Sequence, residues 1–195
     1  MKFLPVLCGV CMVLAANAQD YPKAEIFGGY NYASSDVTSP GRTNLNGWNG
    51  SATGNLNRWF GIKADFSGLY GTKSVGNVLG APCPPFCNAV NVRTHIHSFL
   101  FGPQVSYRTD KFTPFVHALF GAAHTSTSIA VPVAGLPGLS FGLSDTNFAM
   151  ALGGGVDYNF SRRLAWRGGA DYLQTRAFGS TQSNFRVSTG IVFRF

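Results

Sequence analysis

Charge is scarce in this chain: 12% of its 195 residues are Asp, Glu, Lys or Arg, against 45% hydrophobic and 14% aromatic. That balance excludes a disordered polypeptide, which is charge-rich and aromatic-poor. Glutamate and lysine, the strong polar helix formers, are few, while glycine numbers 24, so strand is the default element. Past the N-terminus no run approaches the roughly 18 apolar residues of a membrane-spanning helix. Basic residues never run longer than Arg162-Arg163, which argues against a nucleic-acid partner despite a formal charge of +7. A glycine-rich phosphate loop, an EF-hand loop and a regular metal-ligand spacing are also missing, so neither cofactor nor metal is expected. The length suits one domain.

What is present begins with an export signal. Lys2, an apolar stretch from Phe3 to Ala16 and the small-x-small sequence Ala16-Asn17-Ala18 predict a cleaved signal peptide over residues 1–18, leaving 19–195 as the mature domain. Its removal takes Lys2 away and lowers the formal charge from +7 to +6, a balance suited to anionic lipid or lipopolysaccharide. Cys8 and Cys11 lie inside the apolar stretch and follow no lipobox, which disfavours a lipoprotein. Cys83 and Cys87 remain. In an oxidising compartment their C-P-P-F-C spacing predicts a short disulfide loop. A metal site built from both with His95 and His97 would lack a second cysteine pair.

The mature chain divides into eight alternating segments, approximately 23–33, 46–57, 59–71, 93–108, 112–124, 146–160, 164–175 and 184–195. Short turns alternate with long Gly/Pro-rich or polar loops at 34–45, 72–92, 125–145 and 176–183, the rhythm of antiparallel hairpins. Successive side chains of a strand point to opposite faces, so each segment splits by parity. One face runs through Ile26, Tyr30, Trp48, Phe66, Phe99, Phe101, Val116, Phe120, Phe148, Leu152 and Trp166, none of them charged. The other carries Glu25, Lys63, Asp65, Arg108, Asp157, Arg167, Asp171, Arg186 and Arg194 among serines, threonines and asparagines.

A soluble lipocalin-like binder would turn its apolar face inward. In a transmembrane barrel the arrangement inverts. Aromatics gather near segment ends on the uncharged face, where interfacial girdles belong, and a lipid-facing Lys or Arg at the midplane costs roughly 2–4 kcal/mol. The expectation is therefore an all-β, eight-stranded antiparallel up-and-down transmembrane barrel whose nine lumenal charges form an ion-pair network. Eight strands leave an interior just wide enough for side chains to fill, so a filled core is favoured over a gated pore. His117 falls on the lumenal face, where it is read as structural in preference to a proton switch. Pro103 suits a bulge or a strand end.

The last segment alternates Val187, Thr189, Ile191, Phe193 and Phe195 and closes on an aromatic. With Phe101-Gly102-Pro103, Pro114-Phe115 and Gly153-Gly154-Gly155-Val156-Asp157-Tyr158, it resembles the small outer-membrane β-barrels of Gram-negative bacteria, the OmpA-like and OmpX-like group, over residues 19–195. The resemblance implies an outer-membrane location, the five alternating C-terminal residues as a signal for the barrel assembly machinery, and a monomer. The sequence ends at Phe195, so the peptidoglycan-binding domain of full-length OmpA-like proteins is expected to be missing. The implied role is structural or interactive, through an unidentified extracellular partner met by the loops Ser34 to Leu45, Thr72 to Asn91 and Ser126 to Asp145. His124-Thr125-Ser126 resembles the His-x-Ser pair of outer-membrane lipid A deacylases. Thr127 departs from that motif and no supporting acid is near, so an enzyme is the lesser alternative.

Overall fold

In a computed structural model, residues 21–35, 43–75, 90–131, 139–177 and 180–195 are described. They form β1 (Ala24–Ser35), β2 (Thr43–Asn55), β3 (Phe60–Val75), β4 (Val90–Ser106), β5 (Phe112–Val131), β6 (Leu139–Asn159), β7 (Leu164–Ala177) and β8 (Ser180–Arg194). Each strand pairs antiparallel with its sequence neighbour, and β8 returns to β1 to close the barrel. Closure satisfies the backbone of every strand within the hydrocarbon layer, where water cannot. The expected signal peptide and the pair Cys83 and Cys87 lie outside the described residues.

One end is built from tight turns whose side chains replace missing backbone partners. The Asn57 carboxamide oxygen accepts from the amides of Trp59 and Phe60, both at 2.8 Å. Ser161 Oγ accepts from the amides of Arg163 and Leu164 at 3.2 and 3.0 Å, and Thr109 Oγ1 accepts from the Phe112 amide at 3.2 Å. Short turns mark the periplasmic side of an outer-membrane barrel.

The outer surface is an uncharged apolar band. Phe101 and Val116 are 65% and 61% exposed, and Ile26, Phe99 and Phe148 more than half. In water such an area would aggregate; in a bilayer it is solvated by acyl chains. Aromatic belts bound it. Trp59 and Tyr107 (5.2 Å between ring centroids), Phe112 and Tyr158 (5.4 Å) and Phe193 and Phe195 (5.6 Å) ring the periplasmic rim. Towards the outside Trp48 Nε1 donates to the Tyr70 hydroxyl at 3.3 Å, and Tyr30 donates to Asn46. The inverted arrangement is the one found, so the soluble lipocalin-like alternative falls.

Strands are longer than the alternation suggested, and the difference lies at the extracellular end. Residues 125–145, read as a loop, mostly continue β5 to Val131 and begin β6 at Leu139, with Ser126 opposite Ser144 and Ile129 opposite Phe141. Backbone ladders need no apolar side chains, and Thr and Ile favour strand, so polarity alone misled. Neither a bulge nor a strand end forms at Pro103. Pairing with β5 lapses between Phe101, opposite Phe120, and Gln104, opposite His117, then resumes in the same register. Proline only removes the donor it lacks.

Candidate functional site

Two regions could carry function: the lumen, and the strands that continue beyond the membrane.

All nine charged residues assigned to the inner phase lie inside the barrel, in two linked clusters. In the lower one Arg167 grips Asp157 by Nε to Oδ1 at 2.6 Å and Nη2 to Oδ2 at 2.8 Å, and reaches Glu25 at 2.9 Å. Arg108 donates to Glu25 at 2.6 Å and Arg194 to Asp157 at 2.7 Å. The upper cluster centres on Arg186, which donates to Asp171 at 2.6 and 2.9 Å, to Asp65 at 3.0 Å and to Ser67 at 3.2 Å. Lys63 Nζ stands 3.7 Å from Asp65, and Asn49 donates to both Asp65 oxygens at 3.1 Å. Bidentate guanidinium–carboxylate pairs of this kind satisfy charges that the low dielectric would otherwise penalise.

An aromatic bridge joins the clusters. The Phe115 ring has the Arg167 guanidinium 4.5 Å from its centroid, Lys63 Nζ at 5.7 Å and the His117 ring stacked at 5.9 Å. It fits because Gly155 on β6 offers no side chain. A Cβ there would lie 2.9 Å from Phe115 Cζ and 2.2 Å from the Gly168 carbonyl oxygen. Gly29 and Gly190 oppose each other across the β1–β8 seam for the same reason, a Cβ on either meeting the opposite backbone at 2.2 Å. His117 Nε2 lies 2.9 Å from Asp171 Oδ1, and its side chain is buried.

Above the charges the interior changes in kind, which the parity reading missed. Ala33, Leu45, Leu69, Ile96, Leu100, Leu119, Ala123, Ala149, Ala151 and Leu173 form one buried apolar layer. The signal was available: in Ile96-His97-Ser98-Phe99-Leu100-Phe101 apolar residues occupy both phases, as in a strand whose two faces both meet apolar surroundings.

The second region is a wall. Pairing of β6 with β7 begins at Ala149, so Leu139–Phe148 pairs with β5 alone. Likewise Gly71–Val75 of β3 has lost β2 and pairs only with β4. Four strands, β3 to β6, therefore rise past the closed ring as an open sheet. Phe141 and Leu143, each 59% exposed, share the strand face of the buried Ala149 and Ala151, with Asp145 and Asn147 between them. On the opposite face stand His95, His97, His124 and Ser126. The His124 ring does not serve Ser126: its Nδ1 is bonded to Thr146 Oγ1 at 2.6 Å. No described carboxylate in β3 to β6 shares that outer phase; Asp65, Asp145 and Asp157 all stand on the inner one. Val187, Ile191, Phe193 and Phe195 lie exposed along the lipid face of β8.

The pattern described as outer membrane protein beta-barrel domain matches residues 3–195. No curated protein matches by sequence. Among solved structures the chain is similar to Ail, the attachment invasion locus protein of Yersinia pestis, at 15% identity and a TM-score of 0.57, covering 89% of this chain and 99% of that one. Neisserial surface protein A is similar at 12% identity and 0.55, covering 89% and 97%. The outer membrane protease OmpT of Escherichia coli is similar at 9% identity and 0.55, covering 93% and 99%. Likeness at these identities is likeness of fold.

Proposed function

Since the chain belongs to the outer-membrane β-barrel family, and so resides in the outer membrane, we propose that it is a closed surface scaffold. It holds the β3–β6 wall outside the membrane for contact with an extracellular partner. The observation that carries this reading is the contrast between a lumen filled across its section and a wall with apolar side chains open to solvent. A transport protein needs a passage; here Arg186, Arg167 and the leucine layer occupy it. Ail, similar in fold, has been solved with the heparin analogue sucrose octasulfate, which supports an interactive role for a barrel of this shape. The chain works as a monomer among lipopolysaccharide, and Val187, Thr189, Ile191, Phe193 and Phe195 present the strand that the assembly machinery engages.

Catalysis is not part of this reading. The His124 ring is turned to Thr146, and although His95 stands opposite Ser126, no described carboxylate on the outer phase of β3 to β6 is there to orient it. The lipid A profile of cells carrying His124→Ala is expected to equal that of wild type, and a lost deacylated species would reverse the point. The function itself is tested by replacing residues 127–144 with a tight turn. Cells bearing the trimmed barrel, still heat-modifiable on gels, are expected to lose attachment to host cells or matrix; unchanged attachment would refute the role of the wall.

A further inference from the structure

We infer that His97 and His124 form a metal site on the outer surface of the barrel, taking a late first-row divalent ion such as Cu²⁺ or Zn²⁺ and clamping β4 to β5 at the base of the wall. The two residues are direct cross-strand partners. On one face of an antiparallel pair, opposite Cβ atoms stand about 4.5–5.5 Å apart. Two imidazoles at that separation converge on a metal about 2.0–2.1 Å from each nitrogen. Imidazole is a preferred ligand of these ions.

The surroundings already orient both rings. Thr146, opposite His124 on β6, lies 2.6 Å from Nδ1. A metal on Nε2 would leave the proton on Nδ1, where it can be donated to Thr146 Oγ1. Such an outer hydrogen bond commonly fixes the tautomer of a ligating histidine. His97 is held from the other side by Tyr70, whose ring meets it edge-on at 5.6 Å and His95 at 5.3 Å. His95 is diagonal to His124, at roughly 7–8 Å between Cα positions by sheet geometry. Among the described residues no three His, Cys, Asp or Glu side chains cluster, so the protein supplies two ligands and water fills the remaining positions. The place has mechanical meaning. Thr146 is in the part of β6 that has lost β7, just outside the last closed ring. A bridge here would stiffen the root of the open sheet.

The test uses the full mature chain in detergent micelles, titrated with Cu²⁺ and read by electron paramagnetic resonance. One ion per chain with two nitrogen ligands is expected. His97→Asn and His124→Asn should each weaken binding at least tenfold, and Thr146→Val several-fold, while heat modifiability persists. His95→Asn should change it less than threefold. Wild-type affinity in both His97→Asn and His124→Asn, or binding that disappears only in Cys83→Ser/Cys87→Ser, would overturn the assignment. If a histidine variant fails to fold, the wild-type chain decides. Zn²⁺ is expected to protect His97 and His124, and not His95, from diethyl pyrocarbonate as mapped by mass spectrometry; equal labelling with and without metal would overturn it.

Discussion

The lumen, lined by all eight strands, and the wall, built from four of them, obey opposite rules. Inside the ring the inward side chains are enclosed, and the buried charges are held in pairs and networks. Arg186 spans β8 to β7 and β3 through three hydrogen-bonded partners, and none of its donors faces water. Beyond the ring the same inward phase faces open space, and Phe141 and Leu143 stand exposed. The first region stores stability; the second stores little and displays surface. Sequence change should therefore divide sharply between them.

The largest effect is expected from Arg186→Leu, which takes the guanidinium from the buried carboxylates of Asp65 and Asp171 and leaves them only Lys63, Asn49 and His117. Removing one partner of a buried pair costs about 3–5 kcal/mol. The urea midpoint of the heat-modifiable band should fall accordingly. Replacing Lys63, Asp65, Asp171 and Arg186 together with apolar residues of similar volume should recover much of that loss, since no charge of that cluster is then left buried without its partner. Next comes Phe101→Arg on the lipid face, expected to destabilise by about 2–4 kcal/mol in bilayers, whereas Ser144→Arg on the outer phase of the wall, opposite Ser126, should cost almost nothing. Asn57→Ala removes two turn hydrogen bonds and is expected to cost about 1–2 kcal/mol, measured by the same unfolding transition. At the small end, Phe141→Ser with Leu143→Ser should leave the midpoint within about 0.5 kcal/mol of wild type. The same double change should still reduce attachment of whole cells. A large stability loss in this variant would show that the wall is packed core and not display surface.

The ring and its polarity were legible because period-two alternation is enforced by two incompatible solvents. A charge on the wrong phase of β3 or β7 would face acyl chains, so Lys63, Asp65, Arg167 and Asp171 announce the inner face. The turns were legible through Asn57, Thr109 and Ser161, whose side chains supply backbone partners. Three things were hidden. The leucine layer escaped because Leu69, Leu100 and Leu119 sit on the same phase as charges, and parity alone cannot tell a polar lumen from an apolar one. The wall escaped because Thr125 to Ser128 reads as loop by composition, while its pairing with β4 and β6 is decided by backbone ladders. The connectivity of the charges was also out of reach: Arg167 meets Glu25 across 142 positions of sequence, a contact created only when β8 closes onto β1.

If the barrel is a sealed scaffold, it carries no current across a planar bilayer. Purified wild-type protein, inserted and shown to be folded, should give no stable current steps in molar KCl, and Arg186→Ala, which opens space beside Asp65 and Asp171, should be the variant that first leaks. Stable wild-type steps that scale with salt concentration would make the charged lumen a passage and the barrel no sealed scaffold.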